Sequence, residues 1–395
     1  MSPKVYITGF GIVSALGNGV EKNLEALTKS TTGIDFPQHL NTIHKGSMVT
    51  GEVKLSNQEM AEKVGIKNLT SRTTLLGVLA VKEAIESSGL HDLEKCGFIN
   101  GTSVAGMDIS EQSYKLLRNR KNFDYKTAFL GHDCGAGSEL IADHFGIKGH
   151  ISTISTACSS SANAIMQAGR LIKAGNLDCV ITGGTDALSL FTLNGFNSLK
   201  ILDPKLCKPF DVNRVGLNLG EGAAYLVLES ERQVEKRKSR VLAELIGYGN
   251  ANDAYHQTAS SPEGKGAYLA MKKAIAMTGQ EPLTIDYVNA HGTGTSNNDL
   301  SESTALKLMF GDNLPDYSST KSFTGHTLGA AGAIEAVFSL LAINNNIKFQ
   351  NYNLSQAMDL LSKAPLKEVS YSTVNTVLSN SFGFGGNCTS LIFTK

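Results

Sequence analysis

The chain has 395 residues, 41% of them apolar, a length that implies two domains or one large one and a core needing no disulfide or metal staples. Lys plus Arg and Asp plus Glu balance at 36 each, which disfavours a nucleic-acid grip driven by bulk positive charge. With 18% charged residues and no low-complexity tract, wholesale disorder is excluded. Glycine, at 40 residues against 8 prolines, points to many tight turns and close backbone approaches.

In chain order, β-branched runs alternate with amphipathic Ala/Leu-rich ones, the rhythm of an α/β fold. The first part predicts strands at Val5–Thr8, Gly97–Gly101, Ser152–Ser155, Cys179–Thr182 and Ala224–Leu228. Its helices are expected at Thr73–Ser88, Glu139–Phe145 and Ser159–Ala174. The second part predicts strands at Leu242–Tyr248, Tyr287–Ala290, Val377–Asn380 and Ser390–Phe393, with helices at Lys265–Thr278, Asp299–Phe310 and Ala330–Asn344. The start runs directly into a strand-like segment without a signal-peptide apolar region. No uninterrupted apolar run of about 18 residues exists to cross a bilayer. The six cysteines form no C-x-x-C pair. A cytoplasmic, reducing setting with free thiols is therefore expected.

An internal echo divides the chain. Val5-Tyr-Ile-Thr-Gly-Phe-Gly is matched in pattern by Glu244-Leu-Ile-Gly-Tyr-Gly-Asn. Each half also leads a short polar segment into a small-residue helix, at Ser155-Thr-Ala-Cys-Ser-Ser and at Thr320-Lys-Ser-Phe-Thr-Gly-His. The expectation is an N-terminal half over 1–238 and a C-terminal half over 239–395, whose equivalent loops meet at one site. The basic stretch Arg232–Arg240 reads as a solvated helix end before the connector.

Cys158 falls between a β-branched segment and a helix that stops at Gly175-Asn176. A helix N-terminus favours a thiolate, and its free N–H groups suit an oxyanion. A buried structural cysteine remains the alternative on position alone. His291, in His-Gly-Thr-Gly-Thr, and His326, in Thr-Gly-His-Thr-Leu-Gly, are flanked by glycines rather than bulky core neighbours. Two neutral imidazoles beside a thiol suit thioester chemistry. The alternative is two ordinary loop histidines; the ligand spacing a metal would need is missing. Lys321, Glu302 and Glu335 either orient these histidines or belong to plain helix faces. In Ser379-Asn-Ser-Phe-Gly-Phe-Gly-Gly-Asn-Cys, Phe384 either moves and lends a backbone N–H to an anion or packs in a tight hairpin.

These segments, with Lys208-Pro-Phe-Asp, Gly220-Glu-Gly-Ala and Gly329-Ala-Ala-Gly, resemble the elongating β-ketoacyl–acyl-carrier-protein synthases of the thiolase superfamily over essentially the whole chain. The resemblance implies a thiolase-like fold of duplicated α/β units in five α-β-α-β-α layers. It implies decarboxylating Claisen condensation of malonyl–carrier protein with an acyl chain on Cys158, in fatty-acid or polyene/polyketide synthesis. His291 and His326 match the pair that assists decarboxylation, Lys321 a lysine supporting the second histidine, and Glu302 a glutamate of that network. The N–H groups of Cys158 and Phe384 match the oxyanion hole, and Phe384 also the gate. Thr293 and Thr295 match pantetheine contacts, Val104 and Met107 the acyl pocket, and Glu335 a glutamate holding a structural monovalent cation in some relatives. No catalytic cofactor is implied, since acyl groups ride on carrier-protein phosphopantetheine. The partners implied are an acidic acyl carrier protein and a second copy in a homodimer.

Docking that carrier requires a basic rim, with Lys63, Lys67 and Arg72 one candidate cluster and Arg118, Arg120 and Lys121 another. The chain departs from the family at Asn387-Cys388, where Thr-Asn is usual, at Ser296 in place of proline, and at Val215. It is also short between Ile34 and Leu69. Two alternatives stay open: a thiolase on coenzyme A thioesters, with Cys388 as its late cysteine, and a non-catalytic partner subunit of a heterodimer.

Overall fold

The computed structural model describes residues 3–68, 70–119, 129, 131–279 and 285–395. Ten principal strands carry the fold. They are β1 (Val5–Ser14), β2 (Gly97–Gly101), β3 (Ile151–Ile154), β4 (Cys179–Asp186), β5 (Gly222–Ser230), β6 (Ala243–Asn252), β7 (Tyr287–Asn289), β8 (Asp316–Ser318), β9 (Thr376–Phe382) and β10 (Asn387–Thr394). Their order is β3-β2-β4-β5-β1-β6-β10-β9-β7-β8, with the two-residue strand Gly17–Asn18 paired to β1.

Numbered within each half, both run 3-2-4-5-1 from the outer edge to the seam. The directions repeat too: strand two is parallel to strands three and four, and strand five is antiparallel to four and one. The halves join through Tyr6↔Glu244 and Ile7↔Ala243. The echo at Val5 and Glu244 thus marks strand one of each half.

Helices in chain order are α1 (Val20–Thr28), α2 (Asn57–Val64), α3 (Arg72–Ser88), α4 (Met107–Arg118), α5 (Cys134–Phe145), α6 (Ser160–Lys173), α7 (Leu190–Ser198), α8 (Glu231–Arg237), α9 (Lys265–Thr278), α10 (Ser296–Phe310), α11 (Lys321–Thr324) and α12 (Ala331–Asn345). Helix α3 shows why such segments form. Ser71 accepts a hydrogen bond from Thr74 N–H at its start, and Gly89 ends it in the left-handed region at φ 62°. Its apolar face covers β1 and β5. In the other half α9 covers β6 and β10.

Between the two sheet halves lie α6 and α12, each touching strands of both. They cross where a Cβ on Gly332 would stand 2.7 Å from Ala162 Cβ, which explains their small residues. The layering is the expected α-β-α-β-α. Leu328–Asn345 has the length and hydropathy of a membrane span, yet 89% of it is buried inside the protein; it is the central core helix.

The differences from the sequence reading are physical. Strand β8 has three residues, too few for a period-two pattern. Helix α4 buries polar side chains, Asp108, Ser110 and Ser113, beside Ile109, so a search for an apolar stripe passes it over. Arg72 does not lie on a surface rim. It is 7% exposed, and its guanidinium bonds Glu221 at 2.7 Å, the Val53 carbonyl at 2.8 Å and Asn57 Oδ1 at 2.8 Å. The motif Gly220-Glu-Gly needs that counter-charge for its glutamate. Lys63, Lys67 and Arg118 are exposed, and Arg120 and Lys121 fall outside the described residues. The stretch Arg232–Arg240 is helix α8 and its exit, with Arg237 turned back to Glu229 at 2.7 Å.

Candidate active site

The turn between β3 and α6 carries Cys158. Ala157 before it takes φ 53°, a left-handed conformation that costs an alanine about 1–2 kcal/mol. That strain aims the thiol into a cavity of about 240 Å³, which His291, His326, Thr293, Thr295, Phe382 and Phe384 also line. Cys158 is 6% exposed, and burial pushes its thiol up to about 11, against the pull of the Phe384 N–H, Lys321 and its own N–H. The thiolate expected from the helix N-terminus is overridden: desolvation outweighs the donors. The resting sulfur is a protonated thiol facing two backbone donors.

His291 sits in the turn after β7. Glu302, on α10, anchors that turn by accepting the N–H groups of His291 at 2.9 Å and Gly292 at 2.7 Å, and an Asn380 amide N–H at 3.2 Å. The carboxyl is wholly buried, which raises it to about 7. His326 follows β8 and α11. Its backbone pairs with Asn218–Gly220 through N–H···O contacts of 2.7 and 2.9 Å, with Gly325 before it at φ 73°. The two rings meet edge to face, centroids 5.3 Å apart. Burial, with Lys321 adding to it, holds both imidazoles well below the usual histidine range. Both are neutral at neutral pH.

Lys321 belongs to His291, not to His326 as the resemblance implied. Its Nζ lies 3.2 Å from His291 Nδ1 and 2.6 Å from the His291 carbonyl, and it pairs with Glu335. The reason is positional: α11 starts beside the end of β7, and α12 brings Glu335 to the same point. Glu335 is therefore an ion-pair partner, its carboxyl raised to about 7 by burial. Its Oε2, Asn289 Oδ1 and Ser379 Oγ are buried without hydrogen-bond partners. Asn289 and Ser379 are register neighbours, and Asn289 approaches the Glu335 carbonyl at 3.4 Å. One carboxylate with neutral oxygens is a donor set that fits a singly charged hard cation. No cluster of three His, Cys, Asp or Glu able to hold a metal occurs among the described residues.

Thr293 and Thr295 hydroxyls lie 2.9 Å apart at the cavity wall, and Thr295 caps α10. Phe384 stacks on Phe196 of α7, centroids 5.6 Å apart at 13°. Val104 and Met107 do not line this cavity. Their turn meets the nucleophile from behind, where Ser103 Oγ donates to the Ala157 carbonyl at 3.1 Å. Cys388 is buried in β10, its thiol directed at the Gly386 carbonyl at 3.5 Å, away from the cavity. Sequence reasoning missed Phe196, whose helix lacks an amphipathic signal. It also missed Asp186, which gathers the N–H groups of Ser103, Val104 and Gly329. The Gly-Gly-Thr-Asp end of β4 was the available clue.

A buried thiol and two neutral imidazoles, delivered by opposite halves of a doubled five-layer α/β fold, define a thiolase-like condensing site. The chain belongs to the β-ketoacyl synthase family: the N-terminal domain of that family matches residues 2–234 and the C-terminal domain residues 242–355. It is 34% identical over 414 aligned residues to a 3-oxoacyl-[acyl-carrier-protein] synthase 2 of Staphylococcus aureus, covering 99% of this chain and 98% of that one. Among solved structures, it resembles a chain of the ishigamide ketosynthase/chain length factor at 29% identity and TM-score 0.94, both chains fully covered. A structure of the Xenorhabdus doucetiae ketosynthase ApeO in complex with its chain length factor ApeC matches at 34% identity and TM-score 0.86, over 99% of this chain and 98% of that one.

Proposed function

We propose that the protein is a β-ketoacyl–acyl-carrier-protein synthase, an acyltransferase that condenses malonyl–carrier protein with an acyl chain held on Cys158. The observation that carries this reading is the single cavity shared by Cys158, His291 and His326. In the first half-reaction the Cys158 sulfur attacks the incoming thioester carbonyl; the carrier thiol leaves with the proton that the cysteine gives up. The N–H groups of Cys158 and Phe384 hold the oxyanion. In the second, malonyl loses carbon dioxide and the electron pair of that C–C bond becomes an enolate. Neutral His291 and His326 donate N–H to its oxygen. The enolate carbon attacks the acyl-cysteine, the new C–C bond forms, and the sulfur departs to regain a proton.

Lys321 and Glu302 support His291 in this scheme, Phe384 gates the cavity, and Thr293 and Thr295 hold the pantetheine arm. Val104 and Met107 contact the far end of the acyl chain behind the nucleophile turn. Acyl groups arrive on phosphopantetheine, and the chemistry uses no further cofactor. A monovalent cation fits beside Glu335, with Asn289 and Ser379, where it would supply fixed positive charge beneath the histidine turns. The division into halves at 238/239, a cytoplasmic setting, an acidic carrier as partner and a homodimer complete the reading. The burial of Cys388 in β10, outside the cavity lining, stands against a two-cysteine thiolase, and the intact Cys158 against a non-catalytic subunit.

Mass spectrometry of Cys158 after offering a panel of acyl–carrier proteins, followed by malonyl–carrier protein, tests the scheme. The expected result is an acyl adduct on Cys158 that is released as 3-oxoacyl product, both absent in Cys158→Ala. Condensation retained by Cys158→Ala would refute it.

A further inference from the structure

The two N–H groups that face the Cys158 sulfur come from separate segments, one from the β3–α6 turn and one from the β9–β10 turn. No covalent path fixes their spacing, so bonds across the gap must. Gly383 brings the segments together: a Cβ there would stand 2.9 Å from the Thr156 carbonyl and 3.1 Å from Cys158 N. The remaining cross-links converge on one atom. Asn387 Oδ1 lies 2.8 Å from Ser159 Oγ, 2.8 Å from Asn163 Nδ2 and 2.8 Å from Asn250 Nδ2. Ser159 and Asn163 belong to the turn and first helical turn after Cys158, and Asn250 to β6. The Asn387 carbonyl meanwhile accepts the Gly383 N–H at 2.8 Å, closing the Phe384 turn.

We propose that Asn387 is a positioning residue that locks the nucleophile turn to the Phe384 turn and so sets the separation of the two oxyanion donors. The residue stands where the family resemblance leads one to expect threonine, and its environment is matched to an amide oxygen. Asn163 and Asn250 both reach it with N–H donors, and they also bond each other at 3.0 Å. A threonine hydroxyl is shorter and must place a proton as well as accept. The donors' spacing matters because oxyanion stabilisation and attack geometry decay steeply with misplacement: an error of about 1 Å costs roughly a hundredfold in rate.

This inference rests on the proposed acyl transfer, and its test separates the two. Self-acylation of Cys158 by an acyl thioester and carbon dioxide release from a malonyl thioester are measured for wild type, Asn387→Ala and Asn387→Asp. Asn387→Ala is expected to slow acylation roughly tenfold to a hundredfold through kcat, with KM and carbon dioxide release unchanged. Asn387→Asp, which keeps the acceptor oxygen, is expected to restore most of the rate. Acylation of Asn387→Ala at the wild-type rate overturns the proposal. So does an equal loss of acylation, carbon dioxide release and thermal stability, which would mark a structural role only. A wild type that never acylates condemns the proposed function instead.

Discussion

Lys321 Nζ lies 3.2 Å from Nδ1 of His291 while pairing with buried Glu335. An ammonium beside Nδ1 has no lone pair to offer, so Nδ1 must accept and the imidazole proton must sit on Nε2. The lysine therefore selects the tautomer that offers an N–H donor from the opposite side of the ring.

Replacing Lys321 by Met removes that selection and leaves Glu335 buried without its partner. The loss of stability should be about 3–5 kcal/mol in urea unfolding, with condensation abolished. Lys321→Met combined with Glu335→Leu should recover most of the stability and none of the activity. Recovery of both would show that the pair does no more than hold the core.

The Cys158 thiol, raised to about 11 by burial, sets a pH signature. Below that value the thiolate fraction falls about tenfold per pH unit. Iodoacetamide labelling of Cys158, followed by peptide mass spectrometry, should accelerate about tenfold per unit between pH 7 and 9 without levelling off. The two histidines, held well below the usual range, carry the opposite sign. Acidification protonates them only at pH values below about 6.5, so any weakening of carbon dioxide release between pH 7.5 and 6.5 should trace to the Glu302 and Glu335 carboxyls, both raised to about 7, and the Glu302 contribution should disappear in Glu302→Gln.

Carrier docking and core integrity should separate cleanly. Lys63→Glu with Lys67→Glu should weaken binding of an acidic carrier, most at low salt, with stability changed by less than about 0.5 kcal/mol. Arg72→Ala should cost about 3–5 kcal/mol of stability, because Glu221 is fully buried. Calorimetric titration beside thermal melts distinguishes the two effects.

Phe196→Ala removes the ring on which Phe384 rests. The gate should then open to water more often, and the acyl-Cys158 adduct should hydrolyse several-fold faster in a chase experiment. An unchanged hydrolysis rate would show that Phe196 does not hold the gate.

Much of this architecture is legible in the chain itself. Gly97–Gly101 and Lys265–Thr278 match their elements end to end, because glycines bound the strand at both ends and Gly279 stops the helix. Cys158, His291 and His326 announce themselves by glycine-rich surroundings and order along the chain. What remained hidden depends on residues distant in sequence. The partner of Lys321 is decided by where α12 crosses, 14 residues later. The burial of Arg72 depends on Glu221, 149 residues away. The effect of desolvation on Cys158 cannot be read from a helix N-terminus alone, since it depends on what covers the turn.

The repeated strand order carries one more consequence. The Cys158 turn and the Lys321–His326 segment both follow strand three of their halves and both lead into a central helix, so they are the same architectural slot used twice. One slot holds Cys158 and the other holds Lys321 and His326. Neither half holds both the thiol and the histidines, so their shared cavity exists only where the two halves face each other.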